Sequence, residues 1–289
     1  MNVNDEGKKS LRDVMETVTD VAKLKAMKFS ANELKVEGGF EVDVLIQAFD
    51  AAELKEAGFL VADLKSAGFD VADLRSAGFT ASELRAADFT LDELHKDGVG
   101  VKEMMEANFT AVDLKDMWEA KELMDHFDCA ALKAANFTAS DLRIKFDAGA
   151  LKQAGFMARE LRYANFSVKE LKGLFSVEDL RTGGFEAKAF KDGGFDIKEL
   201  TVFNLTELKN AGFSAKKLNE DGGYTVENLR NAGFTLENLW EEGFQAKALK
   251  EGKYTPSELK KKFSANELQE AGFSALMLKD AGFSAKDLK

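Results

Sequence analysis

Three side chains in this sequence are of types suited to thiol or imidazole chemistry: His95, His126 and Cys129. A thiolate beside an imidazole makes a nucleophile with its base, and His126 and Cys129 stand three residues apart around Phe127. Cys129, however, fills a position that elsewhere holds Ala or Val, so a buried, inert thiol is expected. His95 follows Leu94 where Lys or Arg is usual, and reads as a solvent-facing basic stand-in. One Cys and two His are too few for a disulfide framework or a Cys/His metal cluster. Carboxylates are plentiful, but most recur at one position that serves helix capping. The pairs Gly183-Gly184, Gly193-Gly194 and Gly222-Gly223 lack the Gly-Lys-Ser/Thr of a phosphate loop. No Asp-rich twelve-residue calcium loop is present. The expectation is a protein with no catalytic, cofactor-binding or metal residues, hence no cofactor and no enzymatic activity.

The positioning elements must explain an odd composition: 24 Phe, 23 Gly and one Pro in 289 residues. Apolar residues make up 45%, enough to bury a core and to argue against disorder. The net charge of −11 argues against a nucleic-acid binder. No apolar run approaches the roughly 18 residues of a membrane span. The opening MNVNDEGKKSLRDVMETV has no continuous apolar stretch, so no signal peptide is read and a cytoplasmic location is expected.

An aromatic recurs about every ten residues from Phe29 to Phe283, in 27 slots that take 23 of the 24 Phe. Val99, Trp118, Tyr224 and Tyr254 fill the others. Numbering the slot as position 0, position 5 is Leu throughout except Met104 and Phe190, and position 2 is small or aliphatic. The distance from position 5 to the next slot varies: usually five, four before Phe49, Trp118, Phe127, Phe146, Phe175 and Phe263, six before Phe40 and Tyr224, three before Phe203. One half of the repeat is rigid, and the other absorbs length.

Two architectures place apolar residues five apart. Ala57-Gly58-Phe59-Leu60-Val61 followed by Ala62-Asp63-Leu64-Lys65-Ser66 resembles the pentapeptide-repeat family, which implies a β-helix and, with this acidity, a DNA-mimicking inhibitor. The second architecture is a solenoid of very short helices. Position 1 is Ser, Thr, Asp, Asn or Gly in 21 of 27 units, which suits an N-cap. Position 4 is Asp or Glu in 18, completing a capping box and complementing the helix dipole. Positions 0 and 5 are then the two partners of a hydrophobic staple, which demands the fixed spacing observed. Pro256 falls at the first helical position, where a missing amide costs nothing. Before each slot reached after ten residues stands Gly, Asn or Asp, Lys253 excepted; these types tolerate the left-handed helix stop. The nine-residue joints lack such a residue and should be built differently. A β-helix also needs small residues at position 3, where Lys169, Lys198, Asp92 and Glu178 stand. The reading is an all-α solenoid, or superhelix, of about 27 short helices, one per repeat. The Lys or Arg at position 6 of 19 units is assigned to the C-terminal end of its own helix.

The repeats, of the form Phe-Ser/Thr-Ala-x-Glu-Leu-Lys-x-Ala-Gly, resemble decapeptide Phe/Leu tandem-repeat proteins over about 260 residues, a resemblance that carries no known activity. Residues 1–28 read as a mobile polar tail (1–9) and one longer capping helix over 10–27, and residues 29–289 as a continuous solenoid. Helices of seven or eight residues are unstable alone, so stacking must supply stability. The irregular stretches 99–150 and 195–224 are bends, partner-adapted surfaces or neutral drift.

Such a frame implies a structural or scaffold protein that binds protein partners within a larger assembly, for example a cytoskeletal filament or a multisubunit complex. The candidate partner contacts are Trp240, Tyr163, Met105 and Leu288. Trp240 stands at the usually basic position 6, as an interface anchor or as a side chain packed on the next turn. Tyr163 and Met105 also break the polar face. Because no atypical repeat follows Leu288, the C-terminal repeats are expected to dock on a partner or end to end on another copy.

Overall fold

The computed structural model describes residues 10–287. It divides into two units, Met1–Phe137 and Thr138–Lys289. Among the described residues there are 27 helices of four to six residues and one 3-10 turn, Ile197–Glu199, with no strand. Thirteen helices, from Leu11–Met15 to Cys129–Ala134, lie in the first unit. Fourteen, from Ala139–Leu142 to Ala275–Asp280, and the 3-10 turn lie in the second. Both units are all-α solenoids. A β-helix is therefore overturned, and with it the acidic DNA mimic it would have carried.

Each repeat is built as its residue types dictate. In the helix Ala31–Val36 the Glu33 amide donates to Ser30 Oγ at 3.2 Å, and the Ser30 amide donates to Glu33 Oε2 at 2.7 Å. Where position 1 has no acceptor, as at Leu60, half the box survives: the Leu60 amide donates to Asp63 Oδ2 at 3.1 Å. The helices are shorter than the seven or eight residues expected, because position 1 is extended and the chain turns out of the helix from position 8.

One bond explains how a variable joint keeps a fixed frame. In all 27 repeats the slot amide donates to the carbonyl of the preceding position 5, at 2.9–3.2 Å. Across a ten-residue step this is Phe59 to Leu54, closed by a left-handed residue such as Gly58 at φ +73°. Lys253, at φ +63°, takes the same conformation. Across a nine-residue step such as Phe146 to Leu142 it is an ordinary helical bond with no left-handed residue, although the step before Phe175 runs through extended Lys172 and left-handed Gly173. The nine-residue steps own all six four-residue helices after Leu45, Leu114, Leu123, Leu142, Leu171 and Leu259. The eleven-residue step spans Phe40 to Leu34 and the eight-residue step Phe203 to Leu200.

Helices stack on those two repeats away: Ala31–Val36 on Ala51–Glu56 and Ala158–Tyr163 on Val177–Thr182 are examples. Position 5 forms the axis and is 0% exposed from Leu24 to Leu278. Position 8 of one helix meets position 2 of the helix two before. A Cβ added at Gly183 would come within 3.0 Å of Ala158 Cβ, so small residues set the stacking distance.

Residues 10–27 form two short helices, Leu11–Met15 and Val21–Ala26, rather than one longer helix. The β-branched run Thr17-Val18-Thr19 and the Asp20 cap break the chain there. Both helices follow the repeat plan, with Ser10 and Asp20 as caps and Val14 and Leu24 at position 5, but without Phe. The tail 1–9 lies outside the described residues.

Candidate interaction surface

The frame engages the ionisable groups at positions 4 and 6 of many repeats. The cation at position 6 serves not its own helix but ones further along. Lys35 Nζ donates to Gly58 O at 2.9 Å and Ala57 O at 3.1 Å, closing the helix two repeats on, and sits 4.0 Å from the centroid of the Phe59 ring. Arg230 makes the full set: Lys253 O at 2.7 Å, the Tyr254 ring at 4.2 Å and Glu258 Oε1 at 2.7 Å. The own-helix assignment fails because the carbonyls in reach are those of the stacked helix, left unpaired where its chain turns away. At least fourteen such cation–aromatic pairs occur among the described residues, so the arrangement is a rule of the fold.

The sequence candidates for chemistry resolve into structure. Cys129 is buried, and burial pushes its thiol up from the ordinary range. His126 is half-buried. His95 is not solvent-facing: it is half-buried in the position-6 role, its ring 4.4 Å from that of Trp118 at 61°. Trp118, in a slot usually held by Phe, is itself half-buried, with an imidazole where a cation usually lies. Some capping carboxylates, Glu83, Asp113 and Glu170 among them, are held below their ordinary range by the caps' own groups, Glu170 first by the Ser167 hydroxyl, then by its amide and Arg143.

What remains free to vary is the exposed face, chiefly positions 3 and 7, which lie four apart on one side of each helix. Tyr163, at position 7 of Ala158–Tyr163, is 59% exposed. Arg159 donates to its Oη from Nε at 3.4 Å and Nη2 at 3.3 Å. That bond, with the charges of Arg159 and Arg162, lowers the phenol's pKa. Trp240 is 41% exposed at position 6, with Lys262 Nζ 4.1 Å from its ring, so it is both open to solvent and packed by a cation. Met105, in the first unit, is partly exposed. Leu288 lies outside the described residues. Tyr163 and Trp240 belong to the second unit, on the separate helices Ala158–Tyr163 and Leu236–Glu241.

Several exposed apolar residues escape a reading by type, among them Ile144, at position 7, and Met157, at position 1. Both were signalled by standing where polar residues are normal. Arg143, next to Ile144 in the chain, donates to Ala164 O at 2.7 Å, next to Tyr163. The link brings Ile144 and Tyr163 to one neighbourhood. A groove of about 680 Å³ opens beside Ile144, lined by Phe146, Phe166, Leu174 and the Arg143–Glu170 ion pair among others; Tyr163 is not part of its lining.

A family model described as a decapeptide repeat region matches residues 48–117, 201–262 and 223–289, together more than half of the chain. No curated protein and no solved structure matches. No helix among the described residues is long and apolar enough to cross a membrane.

Proposed function

Because the chain belongs to the decapeptide-repeat family, we propose that it is a non-enzymatic structural or scaffold protein that binds protein partners within a larger intracellular assembly. One observation carries this reading. Position 5 is buried and nearly always Leu, and position 2 is small or aliphatic and mostly buried, whereas positions 3 and 7 are mostly exposed and vary from Ala52 to Arg159, Tyr163 and Val36. A frame that builds itself from a few positions leaves the others free to suit a partner. Trp240, Tyr163 and Met105 are its candidate contacts, and a cytoskeletal or multisubunit assembly is the kind of target an extended repeat face suits.

Cross-linking in the native source, followed by mapping of the linked residues, tests the reading. Exposed lysines such as Lys102, Lys169 and Lys188 should link reproducibly to one partner protein. Links confined to the chain itself, with the protein migrating as a free monomer, would sink it. A turnover assay that followed Cys129 or His126 would overturn the non-enzymatic half.

A further inference from the structure

The position-6 cation takes part in a charge match three repeats long. In the second unit Arg143 pairs with Glu170 at 3.4 Å, Lys172 with Glu199 at 3.7 Å, Arg181 with Glu207 at 3.3 Å and Arg230 with Glu258 at 2.7 Å. Each pair joins position 6 of one repeat to the position-4 carboxylate three repeats on. In the same unit, losing the cation goes with losing the acid: Thr201 is matched by Asn228 and Asn219 by Ala248. Trp240 breaks the match, because the residue opposite it in the repeat plan is Glu267.

Glu267 is left without a cation. Its carboxylate accepts from the Ser264 amide and hydroxyl, each at 2.7 Å, and it makes no ion pair among the described residues. Asp179 and Asp287 are drawn below their ordinary range first by the hydroxyl and amide of their caps and further by Lys152 and Lys260. Glu267 is drawn down by the amide and hydroxyl of its cap, with no cation added. It is exposed, and Trp240 is 41% exposed. The ammonium nearest the indole belongs to Lys262, 4.1 Å from the ring, and it is held by Glu237 of the Trp240 helix at 2.5 Å. An anionic ligand would be repelled by Glu267, and an apolar one would leave its charge unanswered. A guanidinium suits both groups, since it stacks on an aromatic face and pairs with a carboxylate.

We propose that Trp240 and Glu267 form a docking point for an arginine in a basic segment of a partner protein, its guanidinium stacked on the indole and paired with the carboxylate. The partner's cation takes the place that the fold elsewhere fills from within. The assignment rests on the scaffold reading and names the partner chemistry at one of its contacts. Charge complementarity selects the basic segment, and the open indole selects arginine within it.

The probe is a fluorescein-labelled eight-residue peptide alternating Arg with Ser, titrated with the full chain and followed by anisotropy. Saturable binding with a Kd on the order of 100 μM is expected, severalfold weaker when Lys replaces Arg. Trp240→Lys supplies the missing cation from within, and should weaken binding about tenfold or more. Glu267→Gln keeps an acceptor for the Ser264 amide, and should weaken binding severalfold and flatten its dependence on salt. Glu258→Gln removes the same charge from a carboxylate already paired with Arg230, and should leave binding unchanged. Circular dichroism checks that each variant keeps its helices. Equal losses in Glu258→Gln and Glu267→Gln would reduce the effect to general attraction by an acidic chain and overturn the proposal. So would Trp240→Lys without effect, or a Lys peptide that binds as tightly as the Arg one. Sedimentation showing a dimer of the chain alone, lost in Trp240→Lys, would assign the contact to a second copy and overturn it too. If the peptide fails while cross-links in the native source still map to one partner, this assignment falls and the scaffold reading stands.

Discussion

Leu and Phe are equally regular in the repeat, yet they carry different loads. Position 5 is sealed from water from Leu24 to Leu278, whereas several slot aromatics, Phe69 and Phe137 among them, are only half-buried. Leu64→Ala should therefore cost about 2–5 kcal/mol, and Phe69→Ala, whose ring is partly wet already, clearly less, as read by chemical denaturation. The ranking is opposite to that expected from side-chain size alone, so equal or reversed losses would show that the axis has been misplaced. Capping acids give a second test at this scale. Hydrogen bonds from the cap residue's own amide and hydroxyl depress Glu83, Glu93, Asp113, Glu170, Asp179 and Glu267 below the ordinary 4.5 for Glu and 3.8 for Asp. A group depressed in the folded state binds its proton more readily when unfolded. Its stabilisation is present above the ordinary value and is lost as pH falls through the folded one. Thermal melts followed by circular dichroism should hold steady down to that range and then drop together below it. Glu83→Gln and Glu170→Gln should shrink the drop. A melting temperature unchanged by acid would contradict the capping geometry.

At the scale of the element, the rigid Phe-to-Leu half and the elastic Leu-to-Phe half make opposite predictions for insertion. One Gly placed between Lys145 and Phe146 turns a nine-residue joint into a ten-residue one. Phe146 can still reach the Leu142 carbonyl, now through a left-handed residue as at Gly58, so the cost should stay near or below about 1 kcal/mol. One Gly between Ala62 and Asp63 separates cap from carboxylate and staple from partner. It also turns Leu64 off the axis, and should cost several kcal/mol. Similar losses at both sites would refute the division. This division was legible in the sequence, because Phe, Leu, cap and stop are side-chain types at fixed local distances. Stacking of each helix on the one two repeats away was not. It is set by the small residues at positions 2 and 8, whose partners lie some twenty residues off and leave no local trace. For the same reason no spacing shows that the position-6 cation, in the last turn of its own helix, reaches the carbonyls of the helix two repeats on. Tyr163 and Trp240 could be picked out by type, whereas the groove beside Ile144 depends on Arg143 reaching Ala164, a contact no spacing announces.

For the molecule as a whole, stability is a sum of weak repeats and the couplings between them, since no helix of four to six residues persists alone. The position-6 cations extend each coupling across three repeats, so a place without one should be a soft point. Within the first unit Ile46 occupies that position. Phe69, the ring it would cover, is half-buried, and nothing approaches Gly68. On either side Lys35 and Lys55 reach the corresponding glycines and lie 4.0 Å and 4.3 Å from Phe59 and Phe79. The short joint after Ile46 is no obstacle, because Arg143 and Lys260 serve Phe166 and Phe283 from nine-residue repeats of the same kind. Ile46→Arg should therefore reach the Gly68 carbonyl, stack on Phe69 and face the Asp73 carboxylate. The expected gain is about 1 kcal/mol, a cation–π contact and a charge-assisted bond set against lost packing of a half-buried Ile. Hydrogen exchange gives the sharper reading. The amides of Phe69 and its neighbours should exchange faster than those of Phe59 and Phe79 in the natural chain and fall into line with them in the variant. Phe69→Ala should abolish the gain from Ile46→Arg. If the two changes are additive instead, the cation has found another partner and the coupling rule does not extend to this repeat.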